Sequence, residues 1–245
     1  MKCEAKTLAI VPAYNEEGSV GGVVKEIRRA YPLANILVIN DGSTDLTSEK
    51  ARESGGVVLD LPFNLGIGGA MQAGYLYAYE KGYEIAIQVD GDGQHDPGEI
   101  PKLIGALMEK KTDMVIGSRF MGKTTYQGSI MRKMGIFVLS RVISTLMGQL
   151  ITDPTSGFRA SNRKAIRLFA FKYPQDYPEP EVMVLFKKSG LTVCEVPVEM
   201  KPRYSGESSI TKIRSVYYMV KVLLAVFVDI FKEKPSLERR MTDVD

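Results

Sequence analysis

The segment best suited to chemistry is 90–96, Asp-Gly-Asp-Gly-Gln-His-Asp, which directly follows an apolar run at 83–89. Asp90 and Asp92 are separated by one glycine, so both carboxylates can turn toward one cation. Oxygen ligands of this kind suit Mg²⁺ or Mn²⁺. An EF-hand is excluded because Pro101 stands at the twelfth position, where that loop needs a glutamate. An acidic turn that only caps a helix remains the alternative.

A second segment, 117–124, matches the phosphate-binding pattern GxxxxGK[ST] letter for letter and follows a predicted strand. A P-loop must run straight into a helix, whose first turn holds the phosphates. Residues 124–128 are Thr-Thr-Tyr-Gln-Gly, in which two β-branched residues and a glycine disfavour a helix. A P-loop phosphotransferase, whose ATP turnover would depend on Lys123, is therefore a minor alternative. The glycines at 66–69 make no dinucleotide fingerprint, because Met71 stands where the third glycine is needed.

Other candidates are single residues. Asp41 closes the second predicted strand and could accept a hydrogen bond from a base or ribose, or could cap a turn. Arg119, Arg132 and Arg203 could bind phosphate through their rigid guanidinium groups, or could lie on the solvated surface. His95 is the single histidine of the chain, which excludes zinc sites built from several histidines. It lies beside the acidic cluster, where a functional histidine and a surface histidine are equally good interpretations.

The elements that must position these residues alternate between strand and helix in the first half of the chain. Apolar runs predict strands, and a helical spacing of apolar residues predicts helices. The predicted strands are 7–11, 35–39, 57–59, 83–89 and 113–116, and the predicted helices include 19–30, 68–81 and 101–111. Repeated strand–helix–strand units with continuously apolar strands predict an α/β fold with a parallel sheet covered by helices. Ligands bind beyond the carboxyl ends of such strands, where the polar clusters lie.

The second half is less regular. We predict helices at 130–147, 181–189 and 211–234, a strand at 191–198, a loop at 153–159 and irregular chain at 172–180. The last helix is apolar nearly all round but is interrupted by Lys221 and Asp229, so we expect it to lie on a bilayer or in an oligomer interface. We therefore divide the chain into a catalytic domain, 1–208, and a membrane-associating or oligomerising helix and tail, 209–245.

Composition and charge narrow the class of protein. The chain has 245 residues and a net charge of +3, which is too small for general nucleic-acid binding. The sequence carries no pattern of a signal peptide or membrane-spanning helix, so we expect a cytoplasmic protein. The charge is uneven, because residues 114–152 contain five basic and no acidic side chains. Basic segments with long apolar stretches suggest a surface facing anionic lipid, with solvated helix faces as the alternative.

The polar clusters, taken in order along nearly the whole chain, resemble the motifs of family 2 glycosyltransferases of the GT-A fold. The matching segments are VPAYNEE (11–17), NDGSTD (40–45), NLGIGGA (64–70), DGDGQHD (90–96), GSRF (117–120) and DPTSGFR (153–159). The branch with the greatest similarity is the dolichyl- and polyprenyl-phosphate sugar synthases. The sequence departs from the common pattern at Asn40, where many members have an aspartate.

This resemblance implies an inverting hexosyltransferase that moves a sugar from a nucleotide sugar to a polyprenyl phosphate. It implies a peripheral location on the inner face of the cell membrane, with a homo-oligomer or a small membrane-protein partner as further options. The implied nucleotide-binding residues are Pro12, Tyr14, Glu16, Asp41, Gly69 and Asp90. The implied ligands of Mg²⁺ or Mn²⁺ are Asp90, Asp92 and Gln94. The implied acceptor-phosphate residues are Arg119, Arg132 and Arg203, with Asp92 and Arg119 catalytic.

The main alternative within the family is transfer to a glycan hydroxyl in the synthesis of cell-surface polysaccharide. A hydroxyl acceptor needs a general base, whereas a phosphate acceptor is already largely a dianion at pH 7 and needs positioning instead. Asp153, Glu179 and Glu181 are the candidate bases, and each could equally be a helix cap or a surface acid.

Overall fold

The computed structural model describes residues 5–121, 130–201 and 212–232. These residues form one mixed sheet with the strand order β3-β2-β1-β4-β6-β5-β7. The strands are β1 (Thr7–Ala13), β2 (Asn35–Asn40), β3 (Val57–Asp60), β4 (Ile85–Gln88), β5 (Met114–Ser118), β6 (Arg159–Asn162) and β7 (Val193–Pro197). All neighbouring strands are parallel except β6, which is antiparallel to both β4 and β5.

Helices cover both faces of the sheet. They are α1 (Val20–Ala30), α2 (Thr47–Glu53), α3 (Gly66–Glu80), α4 (Ile100–Glu109), α5 (Ile130–Met147), α6 (Arg163–Phe171), α7 (Pro178–Ser189) and α8 (Lys212–Phe231), with a 3-10 turn at Pro97–Glu99. One apolar core includes α1 and α4, and the other includes α3, α5, α6, α7 and α8. Consecutive residues of β1 alternate between the two cores: Leu8 and Ile10 enter one, and Ala9 and Val11 enter the other. This two-sided burial explains why the strand is continuously apolar.

The predicted α/β fold is confirmed, including the helix at 130–147, but two elements were missed. β6 has the sequence Arg-Ala-Ser-Asn, which has no apolar run to mark it as a strand. α6 follows at once, and its amino-terminal cap is Asn162, whose side chain accepts hydrogen bonds from the backbone N–H groups of Lys164 and Ala165. An asparagine at this position could have predicted the start of α6 from the sequence. α7 begins at Pro178 instead of residue 181, because proline fits the first turn of a helix.

α8 packs against α5 and α7. Val222 and Val226 are buried in the same core as α5 and α7. Lys188 of α7 donates from Nζ to the backbone carbonyls of Asp229 and Lys232, which satisfies carbonyl groups at the carboxyl end of α8. The end of α8 is thus tied to α7, while the domain boundary at residue 208 stays a prediction. Among the described helices, none combines the length and apolar composition needed to cross a bilayer.

Candidate functional site

Three of the polar clusters meet beyond the carboxyl ends of β1, β2 and β4, where they line a cavity of about 200 Å³. Its walls are Pro12, Ala13, Tyr14, Glu16, Asp41, Ile67, Ala70, Asp90, Gly91 and Asp92. The structure thus brings together six of the residues expected to bind nucleotide or metal: Pro12, Tyr14, Glu16, Asp41, Asp90 and Asp92. Gly69 adjoins the wall residue Ala70 in the first turn of α3, and Gln94 is not one of the wall residues.

The loops after β1 and β2 hold each other in place. The side-chain oxygen of Asn15 accepts a hydrogen bond from the backbone N–H of Thr44 at 2.9 Å, and the backbone N–H of Asn15 donates to Oγ of Ser43 at 2.9 Å. Asn15 adopts a positive φ of 54°, a conformation that asparagine tolerates better than most residues. The turn leaves Tyr14 about half exposed on the cavity wall, where an aromatic face is open to a ligand.

Asp41 connects β2 to the start of α3. Its backbone N–H donates to the carbonyl of Ala13, and its Oδ1 accepts from the backbone N–H of Leu65 at 2.7 Å. The neighbouring Asn40 donates to Asp60 and accepts from the backbone N–H of Ser43. The nitrogen and the oxygen of the Asn40 amide are therefore both hydrogen-bonded within the protein. Asp41 is also buried, but it borders the cavity.

The glycines at the start of α3 serve close packing. A Cβ on Gly68 would lie 2.5 Å from the Cα of Gln175 and from the carbonyl oxygen of Pro174. A Cβ on Gly69 would lie 2.5 Å from the Cβ of Leu65. Only glycine lets the segment 174–175 cross the first turn of α3 at this distance. The amino terminus of this helix also borders the cavity, where its dipole favours an anionic group.

The three aspartates of the turn after β4 have different roles. Asp90 and Asp92 border the cavity, and Asp92 also accepts a hydrogen bond from the backbone N–H of Gln94 at 3.0 Å. Asp96 instead caps the following 3-10 turn by accepting from the backbone N–H of Gly98 at 3.0 Å. Capping therefore accounts for Asp96 but leaves two carboxylates on the cavity wall.

Asp90 and Asp92 would suit as ligands of a divalent cation. Within 5–121, 130–201 and 212–232, no group of three or more His, Cys, Asp or Glu side chains makes a complete metal site. Mg²⁺ typically takes one or two carboxylates and completes its shell with water and substrate phosphates. Gly157 keeps the approach to Asp90 open, because a Cβ there would lie 3.3 Å and 3.4 Å from the two carboxylate oxygens. The chemistry of the donor set thus agrees with a hard cation.

The antiparallel direction of β6 brings a fourth cluster to the same edge of the sheet. Arg159, the first residue of β6, pairs with Gln88 of β4 and with Ile116 of β5. The loop 153–158 therefore emerges beside Asp90, at the carboxyl ends of the two flanking strands. A parallel strand in this position would have placed the loop at the opposite edge.

Arg119 lies in a buried ion pair with Asp153, a residue of this loop. Its Nε and Nη2 donate to the two carboxylate oxygens of Asp153 at 2.6 Å and 2.7 Å, and Nη2 also donates to Oγ1 of Thr155. Asp153 is fully buried, and its backbone N–H donates to the buried carboxylate of Glu195 at 2.8 Å. Asp153 thus anchors Arg119 and is a poor candidate for a general base. Arg203 and Lys123 lie outside the described residues, as does the side chain of Arg132.

The other two candidate bases differ from each other. Burial raises the pKa of Glu179, the charge of Arg159 opposes this rise, and the charge of Asp90 on the cavity wall adds to it. Burial also raises the pKa of Glu181, whose Oε2 accepts from the backbone N–H of Tyr177 at the start of α7. Glu181 borders a separate cavity of about 400 Å³ beside α7 and α8.

Arg159 was given no role by the sequence analysis, yet it organises this part of the site. It is fully buried and donates to the backbone carbonyls of Ser156 at 2.7 Å, Pro154 at 3.3 Å and Glu179 at 2.8 Å. It therefore joins the loop 153–158 to the first turn of α7. The only signal in the sequence was its position as the last residue of the DPTSGFR motif.

Known proteins resemble this chain in sequence over most of its length. The UDP-N-acetylglucosamine–dolichyl-phosphate N-acetylglucosaminyltransferase of Methanococcus voltae is 30% identical over 210 residues, which are 78% of this chain and 83% of that protein. The undecaprenyl-phosphate mannosyltransferase of Micrococcus luteus is 32% identical over 215 residues, 84% of this chain and 88% of that protein. The polyprenol monophosphomannose synthase of Mycolicibacterium smegmatis is 30% identical over 219 residues, 84% of this chain and 81% of that protein.

The fold also recurs in solved structures. Glucosyl-3-phosphoglycerate synthase from Mycobacterium tuberculosis superposes with a TM-score of 0.74 at 21% identity, over 94% of this chain and 81% of that one. At this identity the likeness concerns the fold. The sequence profile of "Glycosyl transferase family 2" matches residues 8–172. This chain therefore belongs to glycosyl transferase family 2, as the order of its motifs predicted.

Proposed function

We propose that this protein is an inverting glycosyltransferase that moves a sugar from a nucleotide sugar to a polyprenyl phosphate, with a divalent cation as cofactor. The observation that carries the proposal is the cavity at the ends of β1, β2 and β4, with Asp90 and Asp92 on its wall. The three relatives described above are named for transfer to dolichyl, undecaprenyl or polyprenol phosphate, which supports the same class of acceptor.

In this proposal, the nucleotide lies against Pro12, Tyr14, Glu16 and Asp41, with Gly69 in the adjoining turn of α3. Asp90 and Asp92 hold the cation, and Gln94 is the further ligand that the family resemblance implies. When bound, such a cation neutralises charge that develops on the departing nucleoside diphosphate. The glucosyl-3-phosphoglycerate synthase has been solved with Mn²⁺ and UDP, which supports a divalent ion as cofactor.

The chemistry of the candidate bases favours a phosphate acceptor over a hydroxyl. Asp153 forms an ion pair with Arg119. Glu181 accepts a hydrogen bond from the backbone at the start of α7 and borders another cavity. Glu179 remains as a candidate base, and the charge of Asp90 raises its pKa. If the acceptor were a glycan hydroxyl, Glu179 would be the residue to deprotonate it. A phosphate needs positioning instead of deprotonation. Arg119, which Asp153 holds in place, lowers the pKa of Glu179 slightly, and we propose it as the group that positions the acceptor phosphate.

A transfer assay tests the proposal directly. We expect the full chain to form a sugar–lipid product from one member of a panel of nucleotide sugars when a short polyprenyl phosphate and Mn²⁺ or Mg²⁺ are present. EDTA should abolish the product, because it removes the cation that Asp90 and Asp92 would hold and that would neutralise charge on the departing diphosphate. Product formed with a glycan and not with the lipid phosphate would replace the acceptor in this proposal.

An exposed apolar surface supports a peripheral location on a membrane, and we propose the cytoplasmic face because the family resemblance implies it. We call it the α5–α8 surface, after the two helices that pack together and supply it. Its exposed members are Met131, Met134, Phe137, Val138 and Val142 from α5, and Leu224, Phe227, Val228 and Phe231 from α8. Exposed Lys133, Arg141 and Lys221 lie on the same helices. Apolar side chains beside basic ones suit an anionic bilayer, and an oligomer interface is the competing use.

Membrane attachment can be measured with vesicles of anionic phospholipid. We expect the double variant Phe137→Glu/Phe227→Glu to bind the vesicles at least about tenfold more weakly. Each phenylalanine side chain that moves from water into the bilayer contributes roughly 1.5–3 kcal/mol to binding. Leu33→Glu is the control, since Leu33 is also exposed but lies between α1 and β2. Cosedimentation gives the affinity, and light scattering gives the mass. Unchanged vesicle binding, with loss of a dimer, would assign the surface to oligomerisation.

A further inference from the structure

His95 is buried beside Asp90, and a hydrogen bond determines which ring nitrogen carries the proton. The backbone N–H of Asp90 donates to Nδ1 of His95 at 3.0 Å. A nitrogen that accepts a hydrogen bond carries no proton, so the ring is neutral and its hydrogen is on Nε2. Nε2 lies 3.5 Å from Oδ2 of Asp90. One imidazole therefore contacts both the main chain and the carboxylate of the same residue.

The surroundings hold the imidazole in this orientation. Its ring stacks on Phe158 at a centroid distance of 4.9 Å and an interplanar angle of 14°. The backbone of His95 forms an isolated antiparallel bridge with Met200. Only 3% of the residue is exposed. A flip of the ring would leave the partly buried backbone N–H of Asp90 without its acceptor, which costs stability.

The carboxylate of Asp90 is contacted from the other side as well. Nε2 of Gln88 donates to Oδ1 of Asp90 at 3.3 Å, while Nε2 of His95 faces Oδ2. The amide contact is a long hydrogen bond and the imidazole contact is a close approach, so together they restrict the carboxylate from both sides. Restriction from both sides limits the orientations of the carboxylate, which favours its use as a metal ligand.

We propose that His95 is a positioning residue of the nucleotide-sugar site: as a neutral imidazole protonated on Nε2, it holds the Asp90 carboxylate in the orientation that receives the divalent cation. This proposal rests on the proposed function, because it assigns Asp90 to the cation. Groups that orient metal ligands typically account for about 10–100-fold in metal affinity. His95 acts through Asp90, with no part in the transfer of the sugar itself.

The first test compares binding of Mn²⁺ in the presence of UDP, followed by the electron paramagnetic resonance of the free ion. His95→Phe keeps an aromatic ring against Phe158 but removes both nitrogens, and we expect about 10–100-fold weaker binding of Mn²⁺. Tyr83→Phe is the matched control, because it removes one polar atom from another buried ring. Tyr83 lies just before the start of β4, whereas His95 follows the end of that strand. We expect it to bind Mn²⁺ as the wild type does. Equal affinity of His95→Phe and wild type would overturn the proposal.

The second test needs no variant, so it holds even if His95→Phe does not fold. The untagged full chain has a single histidine, so a ¹⁵N-histidine spectrum reports this imidazole alone. We expect the pattern of the tautomer protonated on Nε2, and a shift of the Nε2 signal when Mg²⁺ and UDP are added together. A ring protonated on Nδ1, or one that does not respond to Mg²⁺ and UDP, would overturn the role of His95. Failure of the wild type to bind either ion with UDP would instead overturn the proposed function.

Discussion

Replacement of Asp92 by asparagine should lower kcat/KM for sugar transfer by about 10²–10³-fold while the protein remains folded. Asp92 borders the cavity, and its Oδ1 accepts a hydrogen bond from the backbone N–H of Gln94. Asparagine keeps that acceptor, so the turn is retained. The substitution removes only the negative charge that a divalent cation needs in its ligand, and this loss accounts for the effect.

Asp96→Asn is the matched control, because it makes the same chemical change four residues further along the same turn. Asp96 caps the 3-10 turn, a role that asparagine performs equally well. It also pairs with Lys201 at 3.2 Å on the outer side of the turn. We expect its kcat/KM to stay within a few-fold of wild type. Transfer rates measured over a range of Mn²⁺ concentrations, with melting temperatures for both variants, make the comparison. Similar losses in Asp92→Asn and Asp96→Asn would contradict the assignment of the cation to the cavity wall.

The parallel part of the fold could be predicted because its signal is local. Strands β1, β2, β4 and β5 are apolar runs buried between two cores, and a polar cluster follows each of them. β3 is a short apolar run at the edge of the sheet, where it is only partly buried. β6 could not be found in this way. Its burial comes from β4 and β5 on either side, and those neighbours are separated from it by tens of residues. Its sequence, Arg-Ala-Ser-Asn, has no run of apolar residues that would predict a buried strand.

The same distinction applies to the site. Residues that follow β1, β2 and β4 meet because parallel strands end at one edge, so the wall of the cavity could be predicted from strand positions alone. The ion pair between Arg119 and Asp153 joins residues 34 positions apart and depends on the reversed direction of β6. The sequence analysis named both residues but gave them unrelated roles, as a phosphate ligand and as a general base. Their pairing changes how each of them has to be tested.

Removal of Arg119 should separate the two classes of acceptor, provided that its effect on folding is measured too. Arg119→Ala leaves the fully buried carboxylate of Asp153 without its partner, which should cost about 3–5 kcal/mol of stability. The double variant Arg119→Ala/Asp153→Ala removes both charges and avoids this stranded carboxylate. For a phosphate acceptor, we expect single-turnover transfer in both variants to fall by about 10²–10³-fold, since a buried charge contact with a ligand contributes roughly 2–5 kcal/mol. Arg119→Lys should recover only part of the rate, because a point charge replaces a bidentate group.

Glu179→Gln supplies the opposite comparison under the same conditions. A phosphate acceptor has no proton to lose, so we expect this variant to stay within about tenfold of wild type. A hydroxyl acceptor predicts the reverse order, with a loss of about 10²–10⁴-fold when a general base is removed. Glu181→Gln is the matched control, because Glu181 lies two residues further along α7 and borders the other cavity. The measurement is single-turnover transfer to a short polyprenyl phosphate, with binding of UDP and Mn²⁺ as evidence that each variant keeps its donor site. An inactive Glu179→Gln beside an active double variant would move the acceptor from a lipid phosphate to a glycan hydroxyl.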